Sequence, residues 1–122
     1  MLFIIIVTTL VISIRGFKSL SFFNKYKFNV GSIIKGDNYR MFSSGFLHVD
    51  YNHLFFNLFT LFVFSTSILN QLGEIYYLAI YIASLYFGNY YTLKHYKNQN
   101  LYSAVGASGA VSGIVYSSIL LF

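Results

Sequence analysis

The chain has 122 residues, enough for one small domain; it is 57% hydrophobic and 21% aromatic, with only 9% charged residues and neither proline nor cysteine. A soluble domain carries about 25% charged residues, so this chain has too little polar surface for a water-soluble globule, and without cysteine it excludes disulfides, thiolate catalysis and cysteine-based metal sites. The formal charge of +5 comes without any nucleic-acid recognition motif, and no nucleic-acid partner is expected.

Met1 to Ile14 is uncharged and strongly apolar. Fourteen residues at 1.5 Å each reach about 21 Å, short of the ~30 Å hydrocarbon core of a bilayer. Extension through Leu20 or Phe23, with Arg15 and Lys18 snorkelling to the interface, gives a first spanning helix. A signal peptide would carry a basic start and an A-x-A-like site, and neither is here. Asn24 to Arg40 is polar and basic and reads as a loop by its breakers, Gly36-Asp37-Asn38. From Met41 to Gly73 the one formal charge is Asp50, and Tyr51 to Leu69 is long enough to span. Asn70 to Glu74 forms a tight turn into a third apolar run, Ile75 to Leu93, and Lys94 to Asn100 is a polar connection. Ser103 to Phe122 is a fourth apolar segment, which stops without the polar flank that normally ends a membrane helix. The expected helices are therefore 3–22, 46–69, 75–93 and 104–122, in one domain over 1–122 read as truncated at its C-terminus.

Two stretches carry chemistry. His53 and Asn57 are four apart and share one helix face. They are either interhelical glue, worth about 0.6–2 kcal/mol per hydrogen bond, or donors for a developing oxyanion. His48 and His53, five apart, would lie about 140° apart on a continuous helix, and with few carboxylates nearby no metal site is expected. The second stretch is Ser103 to Gly113, S-A-V-G-A-S-G-A-V-S-G. There Gly109 and Gly113 form a small-xxx-small pair for close helix approach. Ser108 is either one more small group in that seam or a nucleophile whose neighbouring glycines let a carbonyl approach. Ala110 breaks the hydrolase elbow G-x-S-x-G, and an apolar helical setting is expected instead of a strand-to-helix turn.

Arg40-Met41-Phe42, His48, His53-Leu54-Phe55-Phe56-Asn57 and Gly106-Ala107-Ser108-Gly109, in that order, resemble the rhomboid intramembrane serine proteases over roughly residues 35 to 122. The resemblance implies an all-α polytopic membrane bundle, the first four helices of a six-helix core. It implies Ser108 as nucleophile, with His53 and Asn57 stabilising the oxyanion, Gly106 and Gly109 serving the oxyanion site or its packing, and His48 in support. The implied substrate is a transmembrane segment, and no cofactor or metal is needed.

The chain departs from the family in two ways. The family's general base is a His on the sixth core helix, whereas this sequence ends in the fourth, so the 122 residues alone are expected to be inactive. His95, beside Lys94 and Lys97, is a poor substitute. The second span also ends in Ser67-Ile68-Leu69-Asn70-Gln71, where a Glu is frequent in the family. The alternative function is a catalytically inactive rhomboid-like module that binds transmembrane partners through the Gly/Ser seam. The expected location is multi-pass in a bacterial inner membrane. Here the resemblance puts the first and third loops outside the cytoplasm, while the positive-inside tendency of their Lys and Arg residues points the other way.

Overall fold

The structure, a computed structural model, describes residues 1–121. Helix α1 (Leu2–Lys18) stops at Ser19, whose extended backbone (φ −135°, ψ 109°) caps α2 (Leu20–Tyr26). Ser19 Oγ accepts the Phe22 N–H at 3.3 Å, an N-cap bond that satisfies one otherwise unpaired donor. The single helix expected over 3–22 is thus two. The expected loop at 24–40 is also more structured than its composition suggests. It holds the end of α2, strand β1 (Phe28–Asn29) and α3 (Val30–Ile34), followed by α4 (Arg40–Ser43) and one 3-10 turn at Ser44–Phe46. Asn29, within this polar stretch, acts as a cap: its Oδ1 accepts the Ser32 N–H at 3.0 Å. The Arg40 guanidinium, buried, donates through Nη1 to the Asn24 and Lys27 carbonyls at 2.8 and 2.9 Å. It ties the segment together from below.

Helix α5 (Tyr51–His95) is 45 residues long and begins five positions later than expected, because the Asp50 side chain caps it by accepting the His53 N–H at 2.9 Å. Gly73, at φ 85° and ψ 178°, breaks it into arms 51–72 and 74–95. That backbone region is open essentially to glycine alone. Among the described helices α5 is the one long and apolar enough to cross a membrane by length and composition. Each arm is about 33 Å at 1.5 Å per residue. Strand β2 (Ser103–Ala104) pairs antiparallel with β1, Phe28 opposite Ala104 and Asn29 opposite Ser103. This pairing holds 103–104 extended, so α6 (Ser108–Leu120) begins four residues later than expected. Phe122, the end of the expected fourth helix, lies outside the described residues. Among the described residues the fold is all-α apart from this two-residue ladder.

The main core joins Ile5 of α1, Leu61 and Ile68 of the first arm, Tyr77, Tyr81 and Leu85 of the second, and Ala110, Val111 and Ile114 of α6. The second arm and α6 cross closely, with Ser84 and Gly88 facing Gly109 and Gly113. A Cβ on Gly113 would collide with the Ser84 side chain, and one on Gly88 would lie 3.7 Å from the Gly109 Cα. Helix α1 runs back along α5: the Met1 amino group is 3.3 Å from Glu74 Oε1 beside the Gly73 break. Near its other end, a Cβ on Gly16 would stand 2.7 Å from Leu47. Helix α1 buries Ile5, Thr9, Ser13 and Gly16 and exposes Phe3, Ile4, Val7 and Val11. Ile5 apart, its buried stripe is small and polar, and large apolar residues cover its outer face.

Candidate functional site: a serine, histidine and asparagine cleft

Ser108 is the first residue of α6. Gly106, at φ 126°, turns the chain into it, a positive value that disfavours any side chain. The N-cap position is Ala107, and no side chain caps the helix. The first N–H groups of a helix have no intrahelical partner, so those of Ser108 and Gly109 accompany the exposed Ser108 hydroxyl. The Gly106 N–H is already committed, donating to the Ser44 carbonyl at 3.0 Å. Gly109 belongs to the α5–α6 crossing described above. The expectation that Ser108 does not follow a strand is overturned. A two-residue strand and a glycine turn precede it, because the β1 pairing draws 103–104 out of the helix.

Ser108 lines a cleft of about 250 Å³ together with His48, His53, Asn57 and Gly106. A second cavity of about 250 Å³ shares Val105, Gly106 and Ser108 with it and is also lined by Ser44, Asn89 and Thr92. The structure therefore brings together the sequence-derived residues Ser108, His53, Asn57, His48 and Gly106, with Gly109 on the second cavity. His95 is exposed at the C-terminal end of α5 and is not among the residues lining either space.

The helical separation of His48 from His53 is also corrected. His48 precedes α5, so the 140° argument does not apply, and both rings reach the same cleft. His53 Nδ1 lies 2.7 Å from Asp50 Oδ1, which leaves Nε2 as its unengaged ring nitrogen. Asp50 is held below its usual 3.8, first by the backbone N–H of His53 and then by the His53 ring. His48 is buried; its Nε2 is 2.9 Å from Asn57 Nδ2 and its Nδ1 is 3.0 Å from Ser13 Oγ. Burial pushes this imidazole down from 6.5 to about 4; the neighbouring His53 adds to the shift and Asp50 opposes it. The ring is neutral at ordinary pH.

Sequence reasoning missed three polar residues near the site. Asp50 was noted only as a charge, although an acid before a helical run is a cap signal. Asn89 donates to the Met41 carbonyl at 2.6 Å and to Ser44 Oγ at 3.2 Å, behind Ser108. Ser13 carried a readable sign: it falls on the Ile5, Thr9, Ser13, Gly16 stripe of an otherwise apolar helix.

A serine at an uncapped helix start, faced by imidazole and carboxamide in an apolar all-α fold, marks a class of helical proteins with a polar cleft set among apolar helices. The comparison with known families is specific. The family model for the Rhomboid domain matches residues 35–122, and the chain belongs to the rhomboid family. It is 35% identical over 98 residues to the Bacillus subtilis (strain 168) protein named "Putative rhomboid protease YdcA", a match covering 78% of this chain and 47% of the relative. It is 27% identical over 122 residues to "RHOMBOID-like protein 12, mitochondrial" of Arabidopsis thaliana, covering 88% of this chain and 36% of the relative. The chain spans less than half the length of these curated relatives.

Proposed function

We propose that the chain is the N-terminal, four-span part of a rhomboid-type intramembrane serine endopeptidase acting on transmembrane segments in a bacterial inner membrane. The two arms of α5 are two spans, and α1 and α6 are the others. The inside-out pattern of α1 supports this arrangement, as do the exposed Phe55, Phe56, Phe59 and Phe62 on the first arm. Such an outer surface suits lipid and not water.

In the reaction, Ser108 Oγ bonds to the scissile carbonyl carbon, and its proton passes to a base that the resemblance assigns to a sixth helix outside these 122 residues. The tetrahedral oxyanion takes hydrogen bonds from Asn57 and the free N–H groups at the start of α6, and from His53 Nε2 when that ring, whose Nδ1–H is given to Asp50, carries its second proton. The C–N bond then breaks, the amine leaves with the proton, and water releases the acyl group. The observation carrying this reading is the shared cleft of Ser108, His53 and Asn57 at an uncapped helix start.

The test is labelling by a mechanism-based serine probe, together with cleavage of a transmembrane substrate, in the native-length protein. Ser108→Ala should abolish both, and His53→Ala should lower turnover by about 10²–10³, the usual cost of one oxyanion donor. Full cleavage by Ser108→Ala would end the assignment. Substrate capture without any labelling or cleavage would favour the inactive binding module.

A further inference from the structure

A line of buried polar atoms runs from α1 to the cleft. Ser13, fully buried, sits between the Phe46 carbonyl, 2.5 Å from its Oγ, and His48 Nδ1, 3.0 Å away. His48 Nε2 in turn faces Asn57 Nδ2 at 2.9 Å.

The donor inventory gives this line a single direction. A carbonyl can only accept, and a serine hydroxyl has one proton. Ser13 therefore donates to Phe46, and its oxygen must accept from Nδ1–H of His48. The neutral ring then offers a lone pair at Nε2, which accepts one Nδ2–H of Asn57. The opposite tautomer would leave the Phe46 carbonyl facing an oxygen lone pair at 2.5 Å. It would also turn the Asn57 carbonyl toward His48, removing the amide protons from that side. In the favoured arrangement the second Nδ2–H of Asn57 is unengaged, on a side chain that lines the cleft with Ser108.

We infer that Ser13 and His48 are positioning residues that lock the Asn57 amide with its N–H group held for the oxyanion, the polarity being set by the Phe46 carbonyl. Both act at a remove from the reacting atoms: His48, buried although it borders the cleft, acts through Asn57, and Ser13 acts through His48. The inference rests on the protease reading for its consequence in catalysis, while the tautomer can be read without any activity.

The experiment is 15N NMR of histidine-labelled, native-length protein in bilayers, alongside turnover of a transmembrane substrate. The unsubstituted protein should show His48 protonated at Nδ1 and pyridine-like at Nε2. Ser13→Ala, close in size and suited to a buried helical position, should lose that single tautomer. It should also lower kcat about tenfold, less than the loss of an oxyanion donor itself, with KM nearly unchanged, as expected for an interaction used in the transition state. A protonated Nε2 in the unsubstituted protein would overturn the inference. So would a Ser13→Ala protein whose tautomer or kcat is unaltered. If the tautomer behaves as expected and no variant cleaves anything, the protease reading fails while the lock on Asn57 stands.

Discussion

Asp50 engages both the backbone N–H and Nδ1 of His53, so one carboxylate starts α5 and aims an imidazole at the cleft. Asp50→Ala should fray the start of the helix, seen as faster amide exchange at 51–54, and on the protease reading should also lower turnover; Asp50→Asn, which can still cap, should spare the helix. The pH response separates two groups. His48 is neutral when folded, with its value lowered from 6.5 to about 4. The unfolded chain therefore binds the proton first, and the stability His48 contributes is complete above 6.5 and drains away as pH falls toward 4. Asp50, also lowered, contributes stability above 3.8 that is lost below it. Thermal denaturation in detergent between pH 7 and 4 should show the first decline, and His48→Gln should flatten it. The His53 and Asn57 pair was legible in the sequence because an i, i+4 spacing survives inside a helix wherever that helix begins. His48 was misjudged because its relation to His53 depends on where the helix begins, which the Asp50 cap decides.

The crossing of α6 with the second arm of α5 has a direct test. In Gly113→Ala the new methyl would meet Ser84 Cβ, which is rooted in the backbone and cannot swing away. Overpacking of this kind costs about 1–3 kcal/mol, and adding Ser84→Gly should recover most of the loss in a thermal melt. Gly73→Ala should be destabilising for another reason, since it forces a side chain into a glycine-only region at a cost of about 1–3 kcal/mol. Gly109 and Gly113 were readable as a packing pair by their spacing. Their partners Ser84 and Gly88 repeat that spacing but sit amid tyrosines that mask it. Apolar run lengths placed the arms of α5 well. They gave no warning of β1 and β2, because a two-residue ladder has no local periodicity and its partners lie far apart in the chain.

The whole molecule exposes many large apolar side chains, among them Phe3, Phe56, Phe59 and Phe62, while Thr9, Ser13 and Ser65 are buried beside its apolar core. On the four-span reading, a reporter placed within 24–35 should appear outside the cytoplasm; a cytoplasmic signal would show that the basic loops had set the orientation. All-α architecture and family membership were accessible from composition and four short motifs. The links between connections were not, since they depend on the bundle bringing distant loops to one end. One of those links bears on the order of assembly. Asn29 and Ser103, paired in the ladder and bonded side chain to side chain, are 74 positions apart, whereas the arms of α5 meet across a single glycine. Contacts between near neighbours close quickly, and distant ones must wait until the intervening chain is already gathered. The hairpin of α5 is therefore expected to form early and the ladder late. Ser108, four residues beyond the ladder, takes up its place only when the rest of the bundle is built, so a half-folded chain carries no poised hydroxyl.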